Sequence, residues 1–198
     1  MRLFTVLFSL LMLASCSGND QKAVPGNVPA AIAGNSANPM AFNLPFDTLL
    51  IHYYSLGEAL AAESAPEIIH TRSNALMRSV DSLPVEELRA DTTMTNTIIS
   101  YTLSISSELK GLVGEPGMLE KRKEFGIISE QLYELIKTVK YDRTVIYHIY
   151  CPTAFSDQGA YWLNNTRNVR NPYTPQKAMG CGEIKDSIDF RHKSSPGL

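Results

Sequence analysis

The sequence predicts a mainly helical domain: an up-down four-helix bundle with a small C-terminal β-containing cap. Three observations lead there. Apolar residues recur at helical spacing from Phe46 to Lys140. After Lys140 the pattern changes to β-branched and aromatic residues. The chain has 198 residues, 44% of them apolar, enough for one domain with a real core and too few for two large ones. The same arithmetic narrows the function. With 18 basic against 20 acidic side chains there is no broad cationic field, so no nucleic-acid partner is expected. The apolar content argues against wholesale disorder, and three cysteines are too few for a disulfide-dense scaffold.

Residues 1–15 read as an export signal. Arg2 supplies the positive start, and an apolar run follows from Leu3 to Leu13, broken only by Thr5 and Ser9. A spanning helix needs about 20 apolar residues, so this run is a signal segment rather than a membrane helix. It ends in Leu13-Ala14-Ser15-Cys16, which resembles the bacterial lipobox. That resemblance implies lipidation of Cys16 as the mature N-terminus, with the acyl chains as the protein's hold on a membrane. Each buried methylene adds ~0.8 kcal/mol to such an anchor. Residues 16–45 read as a tether, because Pro25, Gly26, Pro29, Gly34, Pro39 and Pro45 punctuate a stretch with no sustained period. About 28 flexible residues reach on the order of 30 Å.

Residues 46–140 carry four helical stretches. In the first, Phe46, Leu49, Leu50, Tyr53, Leu56 and Leu60 share a face, with Asp47 expected in the first turn. Pro66 opens the second, lined by Ile69, Leu76, Val80 and Leu83 and ended by Pro84. Asp91 or Thr92 caps the third, whose stripe is Met94, Ile98, Tyr101, Ile105 and Leu109. Gly111, Gly114 and Pro116 stop it. The fourth steps through Met118, Arg122, Phe125, Ser129, Leu132, Ile136 and Val139, the seam spacing of packed antiparallel helices. Arg122 and Ser129 interrupt that seam. Arg122 is expected to snorkel or to meet Glu130 or Glu108, and the rest of Lys121-Arg122-Lys123 to lie on a solvated face. His52 and His70 have no second ligand at helical spacing, so neither is assigned a metal. Glu67 and His70 make at most an exposed pair.

Residues 141–185 form the expected cap. Thr144 to Tyr150 reads as a strand running into Cys151-Pro152, and the cap is expected to hold two short strands. Residues 186–198 read as a polar, loose tail. Tyr150-Cys151-Pro152, Ala154-Phe155, Gly159-Ala160-Tyr161-Trp162-Leu163, Asn171-Pro172-Tyr173 and Met179-Gly180-Cys181-Gly182-Glu183 together resemble a bacterial domain of unknown function. That domain occurs at the ends of periplasmic adaptor (membrane fusion) proteins of copper and silver efflux systems, and in free-standing exported proteins. The resemblance implies a helical bundle with a cysteine-bearing cap in a cell envelope that handles heavy metals. It implies no catalytic residue. The family pattern usually reads Cys-Pro-Met, and here Thr153 stands in the methionine's place, a hard oxygen where a soft sulfur would suit Cu(I).

With Cys16 lipidated, Cys151 and Cys181 are the remaining thiols. Two readings stay open. An oxidising compartment favours a disulfide, closing a loop of about 31 residues for ~3.5 kcal/mol in the chain-entropy model. Alternatively Cys151, Met179 and Cys181 form a trigonal soft-metal set for Cu(I) or Ag(I). His148 lies on the opposite strand face from Cys151 unless the chain bends there. No nucleophile elbow, phosphate-binding glycine loop or Cys-x-x-Cys motif is present, so no enzyme is expected. Asn164-Asn165-Thr166 is read as a coincidental sequon, and Tyr161, Trp162 and Tyr173 as the cap's apolar filling. The expected protein is a lipid-anchored, periplasmic, non-enzymatic accessory in Cu(I)/Ag(I) handling, or one that docks to an efflux adaptor. The alternative is a disulfide-stapled interaction module with no metal role.

Overall fold

In a computed structural model the described residues are 37–167, 170–174 and 181–191. The signal segment, Cys16, the start of the tether and Met179 lie outside them. So do residues 192–198 of the expected tail. Helices dominate: α1 (Met40–Ala61), α2 (Pro66–Asp81), α3 (Thr92–Gly114) and α4 (Met118–Val139), with a 3₁₀ turn at Val85–Leu88. Strands β1 (Ile146–Cys151), β2 (Ala160–Asn164) and β3 (Glu183–Ile188) follow as one antiparallel sheet in the order β2-β1-β3. Each long helix packs on the next, α1 also touches α4, and β2 lies against α4. Among the described residues no helix is long and apolar enough to cross a membrane.

The predicted helical faces are the buried ones. Phe46, Leu49, Leu56, Leu60, Ile69, Leu76, Ile98, Leu109 and Ile136 are fully enclosed. Asp91 caps α3, its carboxylate accepting the Met94 N–H at 2.8 Å. The start of α1 departs from expectation. The helix begins at Met40, so Pro45 lies inside it rather than in a tether, and Asp47 is past the first turn. Pro45 sits early enough to cost one intrahelical bond, in Pro's range of about 3 kcal/mol. Phe42 and Phe46 outweigh it, fully buried and stacked with centroids 5.4 Å apart. The chain before them is also held: the Ala37 N–H reaches Asp142 at 2.7 Å and the Asn38 amide reaches the Val139 carbonyl at 2.8 Å. Asp47 instead accepts from Tyr141 and Arg143, at 2.7 and 2.8 Å.

A third strand is the other departure. β3 was expected partly as loose tail, yet it pairs along β1 and puts Ile188, 5% exposed, opposite Ile146. Its sequence, Glu-Ile-Lys-Asp-Ser-Ile, lacks alternation because it is an edge strand with most side chains in water. The pairing partner, not the local pattern, makes it a strand.

The two polar residues in the α4 seam hold the cap. Arg122, 6% exposed, donates from Nε to the Pro172 carbonyl at 2.8 Å and from Nη2 to the Leu60 carbonyl at 3.0 Å. Its carboxylate partner is Glu63 at 3.3 Å, not Glu130 or Glu108. Glu63 follows the end of α1, so one guanidinium ties α1, α4 and the C-terminal segment together. Ser129 is a buried hub: its hydroxyl is 2.7 Å from Tyr53 Oη and 3.4 Å from Tyr173 Oη, and it donates to the Phe125 carbonyl. Tyr53 Oη in turn accepts the Leu163 N–H at 3.0 Å, and the Tyr173 hydroxyl donates to the Tyr161 carbonyl. Two tyrosines thereby satisfy backbone groups of β2 that face away from β1. Lys121, expected in solvent, is 3% exposed and donates to the Leu112 carbonyl at 2.8 Å, closing the C-terminal end of α3. Desolvation lowers its pKa, with Glu115 opposing.

Arg122→Met should lower the unfolding free energy in urea by about 3 kcal/mol, because buried acceptors at Leu60 and Pro172 lose their donor. Arg122→Lys should recover only part of that, since an ammonium has no planar fork to serve separated acceptors.

Candidate functional site

The cap begins where β1 ends. Cys151, fully buried at the last position of β1, has its sulfur 2.08 Å from that of Cys181, which is partly exposed. The two thiols that the sequence left open between bridge and metal set are therefore at disulfide distance. Thr153 Oγ1 lies 3.4 Å from each sulfur. The Asn171 amide donates to the Cys181 carbonyl at 2.8 Å, and its oxygen accepts the Tyr173 N–H at 2.8 Å. This places the aromatic ring of Tyr173 inward, 5.8 Å from Trp162 and 6.2 Å from Phe125. Met179 and Cys16 lie outside the described residues. Among the described residues no group of three His, Cys, Asp or Glu side chains converges as a metal cluster.

His148 stays away from the sulfurs. β1 pairs in regular register with β2 through Cys151, so His148 keeps the opposite face. There it is sandwiched between Tyr133 and Tyr161, with centroids 4.0 and 4.3 Å away, and Tyr150 packs on the far side of Tyr161 at 4.5 Å. Its Nε2 is buried without a hydrogen-bond partner among the described residues, 3.7 Å from Glu130 Oε1. Tyr133 also donates to Asp186 at 2.6 Å, which holds the Asp186 carboxyl below its ordinary pKa, while desolvation, with this bond, raises the pKa of Tyr133. The bond links α4 directly to β3. Burial likewise raises Tyr53 and Tyr173, so neither phenol ionises in the physiological range.

Between Cys151 and β2 the backbone is unusual. Phe155, Ser156 and Asp157 are consecutive non-glycine residues with φ of 55°, 58° and 66°. Left-handed conformation costs such residues roughly 1–2 kcal/mol each. Gly159 closes the turn at φ 77°, where any Cβ would collide with the Tyr150 ring and hydroxyl. This turn faces α4 across a cavity of about 290 Å³, lined by Lys123, Gly126, Ile127 and Glu130 on the helix and by Phe155 and Tyr161 on the cap. A Cβ at Gly126 would make ordinary contacts with Phe155 and Tyr173 at 3.8 Å. The sequence showed the residues but not the cavity. Its only trace was a glycine beside a helical seam.

A second titratable cluster bridges α3 and α4. Glu124 shares a hydrogen bond with Glu108, which, with partial burial and the charges of Glu108 and Glu115, pushes its pKa up to about 7. The folded chain therefore holds a proton there that the unfolded chain releases near 4.5, and stability falls as pH rises between those values. Melting temperature should decline between pH 5 and pH 8. Glu124→Gln should flatten that decline and gain about 2 °C at pH 8, a small effect because the site is largely solvated.

Comparison with protein-family models, with curated proteins and with solved structures gives no match to this chain, so the chemistry of the site has to carry the functional reading.

Proposed function

We propose that this chain is a lipid-anchored protein of the cell envelope whose helices, as an up-down bundle, carry a disulfide-stapled binding cap that does no chemistry of its own. The packing order supports the bundle, since consecutive helices are neighbours and the first also meets the fourth. The observation that carries the function is the Cys151–Cys181 pair, with sulfurs 2.08 Å apart. A bridged pair offers neither a thiolate nucleophile nor a metal ligand. Tyr173 of the cap is engaged in the buried network with Ser129 of α4, and His148 is stacked between aromatic rings. What remains accessible is a shaped surface, which suits recognition. The anchor at Cys16 and a periplasmic setting rest on the lipobox-like Leu13-Ala14-Ser15-Cys16.

Heavy-metal handling is the second reading, and one observation favours it. Cys181 is partly exposed, so a reductant has access to the bridge and can release both sulfurs side by side. Met179 precedes Cys181 by two positions and would supply the third soft donor for Cu(I) or Ag(I). Docking to an efflux adaptor belongs to this reading.

A Cu(I) titration of the full chain against a competing chelator, before and after reduction, separates the two. The binding-module reading expects no stoichiometric Cu(I) uptake in either state. It also expects a loss of about 3 kcal/mol of stability on reduction or in Cys181→Ser. Uptake of one Cu(I) by the reduced chain, lost in Cys181→Ala and weakened in Met179→Ala, would instead establish the metal reading.

A further inference from the structure

The cavity between α4 and the turn after β1 has the features of a ligand site. Its middle is apolar, formed by Ile127, Phe155 and Tyr161, and its rim carries opposite charges, Lys123 and Glu130. These lie seven positions apart on one helix, so they share a face. At 1.5 Å rise per residue they stand about 10 Å apart along it. Neither charge is firmly paired by what surrounds it. Lys123 meets Glu120 only at 3.9 Å, with both side chains about half exposed (51% and 46%). Glu130 meets His148 Nε2 only at 3.7 Å. That nitrogen belongs to a side chain 9% exposed and has no hydrogen-bond partner among the described residues. His148 lies behind Glu130 and does not line the cavity, so the carboxylate itself is the group that faces a ligand. Phe155, on the opposite wall, is the first residue of the left-handed run Phe155–Asp157, and backbone strain of that kind concentrates at ligand clamps. Cavity, rim charges and strained wall coincide at one place.

We propose that this cavity binds a short peptide with free ends, about three residues long. Its carboxylate lies toward Lys123, its ammonium toward Glu130, and its small side chains against Ile127, Phe155 and Tyr161. Three extended residues span roughly 10 Å, matching the spacing of the two rim charges. An open cavity of about 290 Å³ holds the volume of about ten waters, which suits a small tripeptide. The inference rests on the binding-module reading and names the ligand class of that module.

Trialanine is the probe, titrated calorimetrically into the oxidised full chain in detergent. The expected result is saturable binding that weakens about fivefold when the peptide is N-acetylated and about fivefold when it is C-amidated. In Glu130→Gln the penalty for acetylation should disappear while that for amidation persists. In Lys123→Gln the pattern should reverse. Both side chains are half exposed, so neither variant threatens the fold. Absence of trialanine binding, equal binding of free and blocked peptides, or variants that keep both penalties would overturn the site. A chain that ignores trialanine yet takes up no copper when reduced loses the peptide site and keeps the binding-module reading. A reduced chain that takes up one Cu(I) loses that reading, whatever trialanine does.

Discussion

Two polar side chains on the inward face of α4 impose the constraint on which the cap depends. A helix that buries Arg122 and Ser129 beside Phe125 must find them partners, and the helices supply only some of these, so the rest come from the cap. Arg122 finds the Leu60 carbonyl at the end of α1 and the Pro172 carbonyl in the C-terminal segment. Ser129 collects the hydroxyls of Tyr53 and Tyr173, which reach the outer edge of β2. An apolar core would hold the helices equally well and leave the cap's position unspecified. The polar groups select one placement, since any slip of the sheet would strand buried donors and acceptors.

The same network settles the two edges of the sheet by different means. On the β2 side, tyrosine hydroxyls occupy the unpaired Leu163 N–H and Tyr161 carbonyl, and the edge is closed. On the β3 side, Glu183, Lys185 and Asp186 keep the edge in water, with Asp186 fastened to Tyr133 of α4. Charged edges discourage pairing with another chain. A small sheet with both edges managed, and its return segment cross-linked through Cys181, can carry an irregular loop that would not hold its shape alone.

Much of this was legible before any coordinates, and the failures have physical causes. Helical faces were read correctly because burial writes a period into sequence, as in the stripe from Phe125 to Val139. β1 was legible because Ile146 to Cys151 is central and rich in β-formers. β3 was not, since an edge strand answers to its partner. The start of α1 was misread because Pro39 and Pro45 speak locally, whereas Phe42 stacks on Phe46 and Phe46 packs on Tyr141, which comes from across the fold. Arg122 stood out as a break in the seam, but its partner Glu63 is 59 positions away and no spacing rule reaches that far. The proximity of Cys151 to Cys181 was anticipated from redox chemistry and counting. The cavity was not, because it lies between a helix face and a left-handed turn that no local pattern announces.

That turn is held in its strained shape by what surrounds it. Three consecutive residues in the left-handed region would relax if the chain around them were free. They are held on one side by β1, whose last residue is fixed through Cys151 to Cys181, and on the other by Gly159, tucked beneath Tyr150. Phe155 is further pinned against Tyr173, with centroids 5.2 Å apart, and Tyr173 is anchored by Asn171 and the Ser129 hub. The bridge therefore does more than close a loop. It sets the end of β1, and so indirectly the wall that Phe155 presents toward Ile127 and Tyr161. Breaking it would let the strained turn relax and the cavity change shape, even with every helix intact. A cross-link placed next to the most strained backbone of the described residues makes the cavity wall, more than the core, the part of the molecule that depends on oxidation.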